Sequence, residues 1–300
     1  MPPKHPDTPT EKKPVTRQDF RLFHRLRVRW AEVDMQKIVF NGHYLMYFDT
    51  AMADYWRALA LPYEQTMHAL GGDLYVKKAT VEYHASARYD DQLEVGLKCQ
   101  RIGNSSIQFS GAIFCGDQLL ITGELLYVYA NPVTQTSLPV PQSLRDIMLG
   151  FEAGESVTTS AVGTWDQLKD AAQSVRTEVF VQEQRIAPED EWDEADADAT
   201  HAVLTNRYGV PMGTARLLQA QPGIAQIGRM AVTRLMRGSG LGHQLLEVLV
   251  QTARARGDHE VRLHAQRSAE GFYKRQGFVA HGQPFDEVGI AHIEMRRSLV

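Results

Sequence analysis

The chain has 300 residues, of which 43% are hydrophobic and 23% are charged, and its formal net charge is -4 with an isoelectric point near 6.3. This length predicts two domains, and this composition is typical of a folded globular protein rather than a disordered or fibrous one. The acidic balance argues against a general electrostatic grip on nucleic acid, and no apolar run is long enough to cross a bilayer.

Cysteine usage and the first residues indicate the compartment. Cys99 and Cys115 fall in segments with strand-like alternation, which predicts buried thiols in a reducing environment rather than a disulfide. Residues 1–18 contain five prolines and no hydrophobic segment, so we expect a flexible tail there and not a signal peptide. These features predict a cytoplasmic protein.

The first half of the chain is predicted to be an antiparallel sheet with one long helix. Apolar and polar residues alternate from Phe20 onward, which predicts a strand that runs into Asp34. Asn41 is a candidate N-cap for a helix that extends to about Ala60. Alternation with period 2 returns over 79–130 in successive antiparallel strands. This order predicts an α+β fold in which the sheet wraps around a single helix.

Prolines and glycines are concentrated between Asn131 and Ser160, and we place a domain boundary there. The second half is predicted to be mixed α/β, with helices near 165–181 and 240–256, a short helix that ends near Gln276, and strands near 202, 214, 224–232, 261–265 and 291–295. No internal repeat relates the halves. The predicted division is a tail over 1–18, a first domain over 19–135, a linker over 136–160 and a second domain over 161–300.

A glycine-rich turn stands between a predicted strand and a predicted helix in the second half. It reads Arg237-Gly238-Ser239-Gly240-Leu241-Gly242. Glycines in such a turn let backbone amides approach a pyrophosphate, and the helix N-terminus favours the negative charge. A turn that merely caps the helix is the alternative. The turn lacks the Gly-Lys-Ser/Thr ending of a P-loop, which argues against a nucleoside triphosphate site.

Three successive motifs carry a resemblance in this half, namely Gly228 to Val232, Arg237 to Gly242 and Ala269 to Phe278. They resemble the acetyl-CoA signatures of the GNAT family, and 179–184 with 289–295 is similar to its ElaA-type branch. The resemblance implies a GNAT fold that uses acetyl-CoA as co-substrate and an amine as acceptor, and no metal is expected. It also implies a set of cofactor-binding residues: Met230, Ala231 and Val232 along the pantetheine arm, and Arg237, Gly238, Ser239, Gly240, Leu241, Gly242 and His243 at the pyrophosphate.

The same resemblance implies that Tyr273 is the general acid, because a departing thiolate needs a proton that a phenol can supply. A core aromatic without a catalytic role is the alternative. The sequence does not decide which residue is the base on the acceptor side, and the candidates are Glu183, His201 and His292. Seven of the ten residues over 189–198 are acidic, and the run either attracts a cationic amine or is a solvated loop.

In the first half, Asp34 precedes the helix start Asn41-Gly42-His43-Tyr44 by seven residues. A carboxylate there can face the free amides of the helix N-terminus, which form a site for a thioester oxyanion. The segments 30–34, 38–45 and 83–91 resemble the 4-hydroxybenzoyl-CoA/YbgC-type acyl-CoA thioesterases. Two positions depart from that family: Lys37 stands where glycine is common, and Asn41 where an aromatic residue or histidine is frequent.

The thioesterase resemblance implies a hotdog fold in which Asp34 is the nucleophile or the base for water and the Asn41 amide polarises the thioester. It also implies a homodimer or tetramer with acyl sites at the interface. Two active enzymes in one chain are therefore the first hypothesis. The alternative is that one domain is a non-catalytic CoA or acyl-CoA sensor, or a dimerisation scaffold, for the other. Neither nucleic acid nor a membrane is expected as a partner.

Overall fold

The computed structural model describes residues 14–300. Within them the chain divides into two compact units. The first runs to Tyr55 and again over Glu64–Ala153, and the second comprises Trp56–Tyr63 and Gly154–Val300. Residues 1–13 of the predicted tail lie outside the described part, whereas Arg17–Asp19 form a short 3-10 turn.

The first unit is one antiparallel sheet with helices. Its elements are β1 (Leu22–Arg27), α1 (His43–Ala58), α2 (Tyr63–Leu70), β2 (Asp73–Tyr83), β3 (Gln92–Ile102), β4 (Ser106–Cys115), β5 (Gln118–Ala130) and α3 (Gln142–Ala153). The five strands lie in the order β1-β3-β4-β5-β2, so β2 is an edge strand. The predicted α+β order of one strand, a long helix and a meander is confirmed.

The sheet approaches α1 closely at a pair of glycines. Gly111 and Gly123 face each other on β4 and β5. A Cβ atom at Gly111 would lie 2.4 Å from the ring of Phe48, and one at Gly123 would lie 2.7 Å from it. Phe48 has no exposed surface, so these two positions must lack a side chain for the helix to pack at this depth.

The first strand is shorter than predicted. β1 ends at Arg27, and Trp30–Glu32 form a 3-10 turn instead of continuing the strand into Asp34. The cause is Glu32, whose carboxylate is buried and accepts hydrogen bonds from the Arg29 amide at 2.7 Å and the Tyr47 hydroxyl at 2.8 Å. These bonds turn the chain toward α1 before Asp34 is reached.

The segment predicted as a linker over 136–160 contains regular structure. Helix α3 belongs to the first unit, where Arg145 donates hydrogen bonds to the carbonyls of Ile102 and Gly103 at 3.0 and 2.7 Å. Glu152 accepts from the Tyr55 hydroxyl and the Cys99 amide, both at 2.7 Å. The prolines that suggested a linker, and Gly154, flank this helix, whereas Gly150 is buried within it. Composition alone therefore concealed the helix.

The cysteines are both free thiols. Cys99 is buried, and its burial raises the pKa of the thiol to about 12, so the group stays protonated and unreactive at neutral pH. Cys115 is only half-buried. The expectation of buried thiols therefore holds for Cys99, while the end of β4 leaves Cys115 partly accessible.

The second unit is a mixed sheet with helices. Its elements are β6 (Thr158–Gly163), α4 (Trp165–Arg176), a π-helical turn (Thr177–Glu183), α5 (Pro188–Glu191), α6 (Ala195–Asp198), β7 (Thr200–Asn206), β8 (Pro211–Gln221), β9 (Ile224–Val232), α7 (Leu241–Arg256), β10 (Glu260–Gln266), α8 (Glu270–Arg275), β11 (Val279–Glu287) and β12 (Ile290–Ser298). The strand order is β11-β12-β10-β9-β8-β7-β6. Its core includes Leu245, Leu246 and Leu249 of α7.

Strands β9 and β10 are parallel and separate partway along their length. Their pairing spans only Ile224–Ile227 against Glu260–Leu263. Beyond that point β9 keeps β8 as its partner, with a bulge at Arg229, whose φ is 50°. The edge of β9 from Gly228 to Val232 is therefore open toward β10, and this opening forms a cleft in the sheet.

Among residues 14–300, no helix is both long and apolar enough to span a membrane. The same residues contain no group of three or more His, Cys, Asp or Glu side chains placed to hold a metal ion.

Candidate functional sites

The glycine-rich turn contains two glycines in the left-handed region of backbone conformation. Gly238 and Gly240 have φ values of 84° and 88°, a region that side chains disfavour. Gly240 precedes α7, and its carbonyl accepts the first helical bond from the Gln244 amide at 3.1 Å. The amides of the first turn have no acceptor within the helix, so they are available to an anion.

Arg237 is held by a carboxylate rather than pointing freely to solvent. Its guanidinium forms a bidentate pair with Glu183, both N···O distances being 2.7 Å, and its Nε donates to the Val232 carbonyl at 3.1 Å. The pair ties the loop to the π-helical turn. Hydrogen bonds from Arg237 lower the pKa of Glu183, so this carboxylate is a weak proton acceptor, which argues against its role as the base.

The cleft between β9 and β10 opens into a cavity of about 240 Å³. Met230, Tyr273 and His292, three residues singled out from the sequence, line it. Tyr273 lies at its wall with its hydroxyl 3.6 Å from the Met230 sulfur. Burial raises the pKa of Tyr273 to about 12, so the phenol is protonated at neutral pH and can donate a hydrogen bond.

The three candidate bases have different surroundings. His201 is buried, its Nε2 lies 2.9 Å from the Asp196 carbonyl, and it does not line the cavity. Burial lowers its pKa. Glu183 is paired with Arg237, as described above. Only His292 of the three lines the cavity, and its Nδ1 lies 2.8 Å from the Ile290 carbonyl.

Two further residues of the cavity wall were missed by the sequence analysis. His264 on β10 and Glu287 on β11 both line the cavity, with Nδ1 of the imidazole 3.1 Å from Oε2 of the carboxylate. They are 23 residues apart in the chain. No local motif marks such a pair, and only the strand order brings it together.

Part of the acidic run over 189–198 is not solvated but forms a buried network of ion pairs with arginines. Arg176 pairs with Glu191 at 2.5 Å and with Asp196 at 2.8 Å, and Arg216 pairs with Asp193 at 2.5 Å. Burial raises the pKa of Glu191, whereas hydrogen bonds from Arg216 lower that of Asp193. These three carboxylates are therefore engaged by arginines and are not free to attract an amine.

In the first unit, Asp34 sits in a tight turn between Val33 and Val39, which form an isolated antiparallel bridge. Its amide donates to the Ile38 carbonyl at 2.9 Å, and its Oδ1 accepts from the Gln36 amide at 2.8 Å. One carboxylate oxygen is thus held by the backbone. The side chain is half-buried.

The turn needs a left-handed residue at Lys37, whose φ is 61°. This conformation costs a residue with a side chain roughly 1–2 kcal/mol, which gives a physical reason for the glycine that related thioesterases carry there. The departure from the family pattern therefore adds strain to the turn without removing the carboxylate.

Helix α1 begins two residues later than the predicted cap. Asn41 and Gly42 form a turn, and the helix starts at His43. The Asn41 carbonyl accepts from the Tyr83 hydroxyl at 3.3 Å. Within residues 14–300 the Asn41 amide has no hydrogen-bond partner, so it remains a candidate donor to a thioester oxygen.

Large apolar side chains are exposed around this turn. Trp30, Phe40, Tyr83 and Tyr89 belong to segments that carry the thioesterase motifs, and Met35 follows Asp34 directly. The exposed fractions of these five side chains lie between 52% and 101%. The edge strand β2 adds Tyr75 and Val76. A concentration of this kind is typical of an interaction surface.

Comparison with known families gives two matches that do not overlap. A model described as the thioesterase superfamily matches residues 36–122, beginning just after Asp34, and one described as the acetyltransferase (GNAT) domain matches residues 166–299.

Individual relatives cover the same two segments. The Bacillus subtilis (strain 168) protein named uncharacterized N-acetyltransferase YjcF is 34% identical over 133 residues, which are 44% of this chain and 93% of that protein. A protein of Aquifex aeolicus (strain VF5) with the provisional name of esterase is 32% identical over 96 residues, 32% of this chain and 74% of that protein. The crystal structure of an acyl-CoA N-acyltransferase from Pseudomonas aeruginosa is 36% identical, covers 47% of this chain and 99% of its own, and gives a TM-score of 0.43.

Proposed function

Because the chain belongs to the thioesterase superfamily in its N-terminal part and to the GNAT acetyltransferase family in its C-terminal part, we propose that it is a bifunctional acyl-CoA enzyme. Both memberships agree with the resemblances carried by the sequence motifs, and so do the hotdog and GNAT folds. We propose that the first unit hydrolyses an acyl-CoA thioester and that the second transfers an acetyl or acyl group to an amine, in the cytoplasm.

One arrangement supports the proposed transferase activity. The open edge of β9 and Tyr273 border a single cavity, and the glycine loop belongs to the same unit. The open edge offers backbone groups to the pantetheine arm over Met230 to Val232. The loop amides from Gly238 to His243 hold the pyrophosphate by the helix-terminus interaction.

Tyr273 acts on the sulfur of the leaving group. A thiol has an ordinary pKa of about 8.5, whereas burial raises that of Tyr273 to about 12. Complete proton transfer from this phenol to a thiolate is therefore uphill at rest. The phenol stabilises the developing charge mainly as a hydrogen-bond donor, which strengthens as the carbon–sulfur bond breaks.

For hydrolysis, Asp34 attacks the thioester carbonyl or removes a proton from the attacking water, and the Asn41 amide polarises the carbonyl. The second carboxylate oxygen is available, because only Oδ1 is held by Gln36. We propose that a second copy of the chain covers the exposed side chains beside this turn and along β2, giving a homodimer or tetramer.

The test is an assay of the full chain with a panel of acyl-CoAs, measuring free CoA with and without a pool of primary amines. Release of CoA without amine reports hydrolysis, and acylated amine detected by mass spectrometry reports transfer. Neither product would refute the proposal. Tight acetyl-CoA binding without either product would support the alternative of a non-catalytic acyl-CoA sensor, and hydrolysis without transfer would confine the proposal to the first unit.

A further inference from the structure

Two imidazoles line the cavity of the second unit, and both contact the ring of Phe285. His264 and Phe285 form a T-shaped pair with ring centroids 4.9 Å apart, and His292 stacks on Phe285 with centroids 6.1 Å apart. Both histidines share the cavity wall with Tyr273. The cavity wall therefore contains two imidazoles whose ring nitrogens can act as a base.

The partner of each ring fixes which nitrogen is free. Nδ1 of His264 lies 3.1 Å from a carboxylate oxygen of Glu287. Because an ionised carboxylate can only accept, Nδ1 carries the hydrogen and donates it, which leaves Nε2 unprotonated. The Ile290 carbonyl fixes the same tautomer in His292, at 2.8 Å.

The difference between the two rings is the charge of the partner. When an imidazole takes up a proton, a carboxylate on its other nitrogen stabilises the cation by a full negative charge, whereas a carbonyl offers only a dipole. His264 thus has the stronger support for carrying a proton during the reaction. Both side chains of the His264–Glu287 pair are partly exposed in the cavity wall, so an acceptor molecule can reach Nε2.

We propose that His264 is the base that removes the proton from the acceptor amine, with Glu287 as the residue that positions and stabilises its imidazole. This inference rests on the proposed transferase function and names a residue that the sequence analysis did not consider. The neutral amine attacks the thioester carbon, so a carbon–nitrogen bond forms while the carbon–sulfur bond breaks with its electron pair on sulfur. One proton leaves the nitrogen for Nε2 of His264, and the sulfur leaves as a thiolate that accepts a hydrogen bond from the Tyr273 hydroxyl.

The test compares the full-length chain with single variants, using acetyl-CoA and four probe amines: spermidine, glucosamine, tyramine and lysine. Acetylated amine is measured by mass spectrometry, so CoA released by hydrolysis does not interfere. We expect His264→Gln to lower kcat by about 10²-fold with an unchanged KM for acetyl-CoA. Glu287→Gln should cause a smaller loss, because the amide keeps a hydrogen-bond acceptor but loses the charge, and Glu287→Asp should restore part of it.

His281→Gln is the matched control, since His281 also lies near a glutamate, with Nδ1 3.7 Å from Oε1 of Glu294, but does not line the cavity. It should keep full activity. Added imidazole should restore turnover to His264→Ala, which a purely structural histidine would not allow, and thermal unfolding checks that each variant folds.

The possible outcomes separate the two proposals. If the wild type acetylates none of the four probe amines, the transferase function fails for them and this inference fails with it. If the wild type acetylates an amine and His264→Gln does so equally well, or if His292→Gln loses more activity, the assignment of His264 alone is overturned.

Discussion

The two units hold their candidate catalytic groups in different ways. In the second unit Tyr273, His264 and His292 line one cavity that a single chain encloses. In the first unit Asp34 occupies a surface turn held by backbone hydrogen bonds, beside large apolar side chains that the single chain leaves exposed. A cavity built within one chain needs no second copy, whereas an exposed apolar surface is typical of a site that a partner covers.

This contrast indicates that the two proposed activities depend differently on assembly and on point changes. Hydrolysis should depend on subunit association and on the single carboxylate of Asp34. Transfer should not depend on association, and several side chains should each contribute to its rate.

The largest effect is expected for Asp34→Asn. The amide oxygen of asparagine can still accept from the Gln36 amide, which holds the turn, but the side chain loses both nucleophilicity and basicity. We expect about 10³-fold slower acyl-CoA hydrolysis and unchanged acetyl-CoA binding measured by calorimetry. Asp117→Asn, in the exposed β4–β5 turn, is the control. Hydrolysis at the wild-type rate in Asp34→Asn would remove Asp34 from the mechanism.

Tyr273→Phe should be next in size and should affect only transfer. Phenylalanine keeps the ring and its packing against Phe272 and Phe278, whose centroids lie 5.0 and 6.0 Å away, but it cannot donate a hydrogen bond to sulfur. We expect kcat for acetyl transfer to fall about 10²-fold with little change in acetyl-CoA affinity. Full turnover would show that Tyr273 is only a packing residue.

Gly240→Val should have the opposite signature, with weaker binding as the primary effect. Valine is strained at a φ of 88° and crowds the loop where we propose that the pyrophosphate binds. We expect the Kd for acetyl-CoA to rise about tenfold, which corresponds to roughly 1.4 kcal/mol. Gly257→Val, at a φ of 92° after the other end of α7, carries the same strain without touching the loop. Equal weakening in both variants would mean that the effect is on folding.

The smallest effect concerns the turn around Asp34. Lys37→Gly removes a left-handed lysine with a φ of 61°, and we expect the free energy of unfolding of the first unit to rise by about 0.5–1 kcal/mol. Lys77→Gly on β2 lacks this relief and should lower stability instead. Chemical denaturation of both variants measures whether the free energy of unfolding rises or falls. A lower free energy of unfolding in Lys37→Gly would contradict the assignment of strain to Lys37.

Elements with a strong local pattern were predictable. The helix after the glycine loop, expected over 240–256, is Leu241–Arg256, because glycines at positive φ and apolar residues at helical spacing are both local features. The meander of antiparallel strands was predictable for the same reason. The site roles of Asp34, Asn41 and Tyr273 came from the family resemblance and stay predictions.

Features that depend on distant partners were not predictable. The acidic run looked solvated because its partners Arg176 and Arg216 lie 15 and 20 residues or more away. Glu32 gave no sign of being buried, since its bond to Tyr47 crosses from the turn to α1. The His264–Glu287 pair requires the strand order β11-β12-β10, which no pattern within either strand reveals.

The glycine pair beneath Phe48 bears on the proposed hydrolysis, although neither glycine has a side chain that could take part in the reaction. Phe48 lies five residues beyond the start of α1, about 7.5 Å along its axis, and a helix of this length moves nearly as a rigid rod. A methyl group at Gly111 or Gly123 would push Phe48 away from the sheet and carry the Asn41 amide with it, changing its distance to the thioester carbonyl that we propose it polarises. Selection on the rate of hydrolysis would then act on Gly111 and Gly123, in the middle of the sheet and remote from Asp34. These two positions contribute by having no side chain.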